Sequence, residues 1–368
     1  VINKKAGYYM ADSADYADYF KKQATLIDRT IESYLNNVKD PRFLASLIER
    51  SGYTFDINAI EKSILEPANY LLKSGGKRWR PILMLELIEA LGKDPNYYFE
   101  FSVIPEVIHN GTLIHDDIED GSVMRRGMEA LHKKYGLDIA LNLGDFMFYF
   151  PIIALLDSKK IPMATKSRVL ETYQRNMLKI SIGQATDMAW HSGKVKIEDI
   201  DEDKYLQMAY SKTGVLIGFA AELAGIFCEV SDEKVKALGT FGATLGVAFQ
   251  IEDDILNITP SKLSQNKGGV GDDITEGKIT LMLLHAVKEG DKKDKERLQE
   301  ILRMHTSDPA LINEAINILN KYDSIAYAKK VEKELLQKAW EDIDKLLPPS
   351  QAKERIRKIT EMFGNRNV

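Results

Sequence analysis

Apolar residues recur three or four positions apart along almost the whole chain. The spacing holds in Phe20–Val38, Ile57–Leu72, Ile82–Leu91, Phe101–Ile114, Ile139–Leu156, Arg168–Met188, Tyr205–Phe227, Val235–Leu256, Leu281–Val287 and most of Leu298–Met362. That period puts the apolar side chains on one face of an α-helix. Alternation with a period of two, bounded by turn signals as a half-buried strand requires, is missing. The pattern predicts an all-α fold. Ser74-Gly75-Gly76, Asp94-Pro95-Asn96, Arg126-Gly127, Ile161-Pro162 and the glycine-rich Lys267–Gly271 punctuate the helices. No Pro/Ser/Gly-rich linker divides the chain, and no repeat with a period of roughly 20–50 residues is visible. The expected organisation is a helical N-terminal extension over residues 1–55, carrying Tyr8, Tyr9, Tyr16 and Tyr19 among acids, and one compact domain over residues 56–368.

Composition narrows the classes. The 368 residues are 44% hydrophobic and 29% charged, ample for a large core. The longest apolar stretch, Thr213–Val230, carries Glu222 in its middle and predicts a buried helix rather than a membrane span. A net charge of −5 argues against a general nucleic-acid partner, which wants a basic face, and leaves room for a local basic pocket. The single cysteine, Cys228, excludes a disulfide within the chain and fits a reducing compartment. The opening Val1-Ile2-Asn3-Lys4-Lys5 soon turns acidic, unlike a signal peptide, so the expected location is cytoplasmic with no transmembrane segment.

Chemistry enters with two carboxylate clusters. Asp116-Asp117-Ile118-Glu119-Asp120 closes one apolar helix, and Glu252-Asp253-Asp254-Ile255-Leu256-Asn257 closes another. Asp116 and Asp120 share a helix face, as do positions 253 and 257, while Asp117 and Glu119 point elsewhere. Like charges four apart cost a helix roughly 0.2–0.5 kcal/mol, and the C-terminal end of the macrodipole disfavours anions. Bound cations would remove both penalties. Mg²⁺ suits such a place, because it takes one or two carboxylates and completes its octahedron with water and substrate phosphate. An exposed acidic helix end explains one cluster equally well; two matched clusters favour the metal.

Cations suited to phosphate accompany them. Gly75-Gly76-Lys77-Arg78-Trp79-Arg80-Pro81 gathers three where a helix is expected to start, a position whose free N–H groups favour anions. Arg125-Arg126-Gly127 follows the first cluster, and Lys212-Thr213-Gly214, Lys267 and Lys278 add further candidates. Neither a Walker loop nor an H-E-x-x-H zinc motif is present. His109 lies seven residues before Asp116, on nearly the same helix face, suited to donate to a phosphate or to sit buried and satisfied.

Taken in order, Gly75-Gly76-Lys77-x-x-Arg80-Pro81, Asp116-Asp117-x-x-Asp120, Arg125-Arg126-Gly127, Gly183-Gln184-x-x-Asp187, Lys212-Thr213 and Phe249-Gln250-x-x-Asp253-Asp254 resemble the trans-isoprenyl diphosphate synthases, the polyprenyl synthetase family. The resemblance runs from about residue 60 to 290. It implies the isoprenoid synthase fold, a bundle of long antiparallel helices around a deep central cavity, usually as a homodimer, with residues 56–368 as the catalytic domain. Asp116, Asp120 and Asp253 would hold three Mg²⁺ ions on an allylic diphosphate. Arg125, Lys212 and Lys267, with Lys278 as a further candidate, would help bind that diphosphate. Lys77, Arg80, His109 and Arg126 would hold isopentenyl diphosphate. Thr213 and Gln250 would place oxygens near the allylic cation.

Three positions depart from the family pattern: Asn257 stands where aspartate is usual, the Lys267–Gly271 loop is rich in glycine, and Met282 replaces a common proline. Asn257 can still offer an oxygen to a metal or its water. Ile108, Gly111 and Thr112 lie where the family sets product length. Small Gly111 and Thr112 suggest an open wall, although close helix packing explains the glycine as simply; Phe146, Phe148, Tyr149 and Phe150 are either a floor or ordinary core aromatics. The expected product is geranylgeranyl diphosphate, and Gly111→Phe is expected to shorten it. Farnesyl or longer polyprenyl products are the alternatives. A non-catalytic partner subunit would tend to lose the first aspartates and basic sites kept here, and a terpene cyclase would have no use for an isopentenyl site.

Overall fold

The structure, a computed structural model, describes residues 13–47, 54–259 and 270–364. Tyr8, Tyr9 and Lys267 lie outside the described residues. The helices in chain order are α1 (Ser13–Leu35), α2 (Pro41–Leu47), α3 (Ile57–Ile60), α4 (Glu66–Lys73), α5 (Trp79–Ala90), α6 (Pro95–Tyr98), α7 (Val103–Glu119), α8 (Leu131–Tyr135), α9 (Leu137–Tyr149), α10 (Ile152–Asp157), α11 (Met163–His191), α12 (Glu202–Ala209), α13 (Val215–Phe227) and α14 (Asp232–Ile258). Shorter helices follow, ending in Ser324–Asp344 and Gln351–Phe363. The all-α reading holds with one exception among the described residues. Met124–Arg125 pairs antiparallel with Met128–Glu129, and Arg126 and Gly127 at the turn both have positive φ, as a two-residue primed hairpin requires. A ladder of two residues per strand is too short to leave an alternating pattern in the sequence.

The periodic segments become helices for the reasons the pattern gives. α14 begins at Ser231, whose side chain accepts the Lys234 N–H, and carries Asp232 and Glu233 in its first turn; both features stabilise a helix start. α13 is buried along nearly its whole length, as its apolar run predicts. It packs on α5, α11 and α14, and α1 adds Phe20, Ile27, Ile31 and Leu35 to the same apolar core. A second apolar cluster lies under the end of α14, around Tyr205, Ile251, Ile255 and Leu281.

Two local details matter for the site. α12 and α13 are joined by a π-helical turn, Tyr210–Gly214, which carries Lys212 and Thr213. Such single-turn widenings of a helix re-aim side chains and concentrate at functional sites. The stretch Leu137–Asp157 is apolar and long enough to cross a membrane by length and composition. In the fold it is two helices, α9 and α10, separated at Phe150 and Pro151, with Leu143 and Met147 buried in the core.

Candidate active site

Half-buried residues mark one face of α7: His109, Thr112, Leu113, Asp116 and Asp120. Their spacing of three and four residues makes a single stripe. At its C-terminal end, Asp116 meets Arg125 Nη2 at 3.3 Å and Lys212 Nζ at 3.2 Å. Burial opposes the charge on Asp116, but Lys212, Lys278 and Arg125 outweigh it and hold the carboxyl well below the usual carboxylate range. Asp120 accepts from Lys278 Nζ at 3.1 Å. Asp117 is buried, only 2% exposed, and its Oδ1 takes Arg125 Nε at 2.7 Å. Asp117 thus fixes Arg125; of the two outer aspartates, Asp116 stays partly open while the Asp120 side chain is nearly covered beneath Lys278.

Lys212 ties this end of α7 to α11, since its Nζ donates to Asp187 Oδ2 at 2.6 Å. Gln184, one turn before Asp187, donates to Glu119 at 2.5 Å. Gln184 and Asp187 belong to a motif noted in the sequence but given no role there; the structure makes them supports for Lys212 and Glu119. Next to Lys212, the Thr213 hydroxyl donates to Gln250 Oε1 at 2.7 Å, and Gln250 Nε2 donates to Asp254 Oδ1 at 2.8 Å. Tyr205, which the sequence reading missed, donates to Asp254 Oδ2 at 2.7 Å. Burial pushes the Asp254 carboxyl up to about 6 despite these two donors. Asp254 is therefore an internal anchor, and Asp253 is the half-buried member of the second cluster.

Asn257 departs from expectation. Its side-chain oxygen accepts the Asp273 N–H at 3.1 Å, and its backbone oxygen accepts the Gly271 N–H at 2.9 Å. It is buried and ties down the segment that returns from the second cluster. Lys278 lies on that segment, paired with Glu276 and reaching across to Asp120. The two aspartate helices are thereby linked through Lys278, Asp273 and Asn257. Lys267, the other cation expected here, lies outside the described residues.

A second, cationic cluster lies further down α7. His109 is about 10 Å from Asp116 along the helix at the usual rise per residue. Burial, then the guanidinium groups of Arg80, Arg126, Arg78 and Arg125, depress the His109 imidazole well below its ordinary range. Arg80 Nε is buried without a hydrogen-bond partner, and burial pushes the Arg80 guanidinium down to about 10. A buried donor left unmade is costly, and an anion would satisfy it. Arg126 is held by the Gly75 carbonyl, and Lys77 is exposed at the start of α5. Arg78, indistinguishable in sequence from its neighbours, is instead buried in ion pairs with Asp28 and Glu106.

The carboxylates suit magnesium by their chemistry. Among the described residues no three such groups form a closed cage. Mg²⁺ does not need one: hard oxygen donors on one or two side chains suffice when a phosphate supplies the rest. Asp116 and Asp120, one turn apart, with Asp253 on the other helix, are such donors.

The product-length positions separate. A Cβ at Gly111 would lie 3.0 Å from the Gly144 carbonyl and 3.0 Å from Phe148 Cε1. Gly111 is the place where α7 and α9 approach, so it is no opening in a wall. Ile108 is fully buried in the core. Thr112, half-buried one turn below Asp116, is the one of the three on the open stripe.

Known proteins resemble this chain in sequence and in fold. The sequence profile of the polyprenyl synthetase family matches residues 61–319. A short chain isoprenyl diphosphate synthase of Methanothermobacter thermautotrophicus is 35% identical over 305 residues, covering 83% of this chain and 91% of that one. An octaprenyl diphosphate synthase of Haemophilus influenzae is 32% identical over 81% of this chain and 87% of its own. The crystal structure of geranylgeranyl pyrophosphate synthetase from Pyrococcus horikoshii superimposes with a TM-score of 0.81 at 33% identity, covering 96% of this chain and 99% of that one.

Proposed function

The chain belongs to the polyprenyl synthetase family, the trans-isoprenyl diphosphate synthases, and from that premise we propose that it condenses isopentenyl diphosphate with an allylic diphosphate in a Mg²⁺-dependent reaction. The observation that carries this reading is the pair of unlike charged clusters along one face of α7, each suited to a phosphate. Asp116 and Asp120 mark one, with Lys212 and Lys278 beside them. His109 and the unsatisfied Arg80 mark the other. A reaction joining two diphosphates needs both; a cyclase needs only the first.

Asp116, Asp120 and Asp253 would hold Mg²⁺, three ions as the family resemblance implies, on the allylic diphosphate. When bound, the metal neutralises charge that builds on the leaving diphosphate. Arg125, Lys212 and Lys278 bind that diphosphate and remain in place as its C1–O bond breaks. Thr213 and Gln250, locked together by their hydrogen bond, set polar atoms beside the allylic carbon. Lys77, Arg80, His109 and Arg126 hold the second diphosphate so that its alkene lies within attacking distance. The departing diphosphate takes the final proton. Incubation with Mg²⁺, isopentenyl diphosphate and, in turn, dimethylallyl, geranyl and farnesyl diphosphates should give longer prenyl diphosphates; failure to consume isopentenyl diphosphate with every primer would sink the reading.

Arg80→Ala is expected to raise KM for isopentenyl diphosphate about tenfold to a hundredfold, the worth of one charge-assisted hydrogen bond. KM for the allylic primer should change little, and Lys77→Ala should act in the same direction more weakly because Lys77 is exposed. Equal rises for both substrates would mean the two phosphate sites are misassigned.

The product proposed is geranylgeranyl diphosphate, within a family whose named relatives here run from short chains to octaprenyl. Thr112→Phe should shorten it toward farnesyl. Gly111→Phe should instead lower the melting temperature by several degrees, since overpacking costs about 1–3 kcal/mol. Chromatography of products and thermal unfolding check the pair. A shortened product from a stable Gly111→Phe protein, with Thr112→Phe unchanged, would reverse the assignment.

A further inference from the structure

We propose that α1 is a working part of the isopentenyl diphosphate site, acting through Arg78 as a positioning residue; this rests on the reading of the Arg80, His109 and Arg126 cluster given above.

The Arg78 side chain is fully buried. Its Nε donates to Asp28 of α1 at 2.6 Å, and its Nη1 donates to Glu106 of α7 at 2.8 Å. With both edges of the guanidinium committed, Arg78 has little left for a ligand. What it does have is control of the loop. Its backbone is left-handed, with φ of 54°, a strained state for a non-glycine residue that persists only where the surroundings fix it. α1 supplies part of that fixing a second time: Phe20 packs edge-on against Trp79, ring centroids 5.4 Å apart.

The backbone before Arg78 lies flat against two guanidinium groups. A Cβ at Gly76 would come 2.6 Å from Arg78 Nη1 and 3.1 Å from Arg126 Nη1. Arg126 in turn donates to the Gly75 carbonyl. Arg78 and Arg126 are therefore the bed on which residues 75–77 rest, and the loop sets where Lys77 and Arg80 begin.

Charge gives the second half of the argument. Glu106 lies near Arg78, Arg80 and Arg126, and acts on all three. Its Oε1 accepts from Arg78 Nη1 at 2.8 Å and, more distantly, from Asn110 Nδ2 at 3.4 Å, and Arg80 Nε is left without a partner. Arg78 occupies the carboxylate that would otherwise close on Arg80. Asp28 holds Arg78 in the orientation that does so. Without Asp28, the guanidinium is held by Glu106 and by the Leu72 carbonyl at 3.4 Å; as it turns, Glu106 moves toward Arg80 and the anion site loses its open donor.

The test is equilibrium binding by calorimetry on the full chain, with isopentenyl diphosphate alone and with geranyl diphosphate plus Mg²⁺. Asp28→Asn should weaken isopentenyl diphosphate about fivefold, the upper range for a partly exposed ion pair. Arg78→Lys, which cannot bridge two carboxylates with a planar fork, should weaken it about tenfold or more. Geranyl diphosphate should move less than twofold in both, and Asp28→Glu should recover most of the loss. Tyr19→Phe serves as control: it frees α1 from Glu86, a bond of 2.7 Å, and should lower the melting temperature without splitting the affinities. Equal weakening of both ligands, or a lower melting temperature with both affinities intact, would show α1 to be packing alone and overturn the proposal. A native protein that binds neither ligand overturns the functional reading itself, and this inference with it.

Discussion

Excess EDTA is expected to reduce the condensation of isopentenyl diphosphate with an allylic primer to background, and added Mg²⁺ to restore it. The reason lies in the charge around the end of α7. Asp116, Asp117, Glu119, Asp120, Asp187 and Glu276 converge there, and three described cations among them are already engaged: Arg125 with Asp116 and Asp117, Lys212 with Asp116 and Asp187, and Lys278 with Asp120 and Glu276. A multiply charged diphosphate entering that group meets carboxylates as well as ammonium groups. Two like unit charges 4 Å apart repel by about 4 kcal/mol at the effective dielectric of a partly exposed protein site. Divalent cations reverse that sign at each carboxylate they touch. The depressed Asp116 carboxyl stays ionised through neutral and mildly acid pH, so this one carboxylate remains charged across the range in which turnover is measured. Turnover measured against free Mg²⁺ concentration, after chelation, checks this. Undiminished rates in EDTA would remove the metal from the mechanism.

The parts of the site that sequence could show are those whose chemistry and spacing coincide. Asp116 and Asp120 one turn apart, following an apolar run, are visible as a helical pair before any fold is known. Lys212 and Thr213 were visible as residue types, but the π turn that aims them was not, because one extra residue per turn barely disturbs an apolar period. The break between α9 and α10 was signalled by Pro151, which cannot extend a helix interior, yet apolar spacing continued through it. Gly111 admitted two readings, open wall or close helix contact, and only the position of α9 decides between them. Arg78 shows the deeper limit. A cation between two ligand cations looks like a third ligand until burial and the carboxylates of two distant segments are known. Asn257 is similar: an oxygen in a metal motif reads as a ligand until its hydrogen-bond partner is seen.

Asp116→Ala and Asp253→Ala are each expected to lower kcat by about a thousandfold, and Asn257→Ala by far less. Loss of a metal ligand forfeits several kcal/mol of stabilisation as charge develops on the leaving group, and each 1.4 kcal/mol is tenfold in rate. Asp116 also anchors Lys212 and Arg125, so its removal loosens two of the side chains proposed to bind the diphosphate as well. Asn257 acts otherwise: its oxygen accepts the Asp273 N–H and steadies the segment bearing Lys278. Truncating it leaves a buried N–H unmade, about 1–3 kcal/mol, which should appear as a lower melting temperature and a loss of activity of about tenfold. Asn257→Asp keeps an acceptor of the same shape and should stay within a few-fold of the native rate. Steady-state rates alongside thermal unfolding separate the two kinds of damage, since the aspartate variants should lose rate while remaining folded. Should Asn257→Ala fall as far as Asp253→Ala with no change in stability, position 257 would have to touch the metal, and its tie to Asp273 would have to open during turnover.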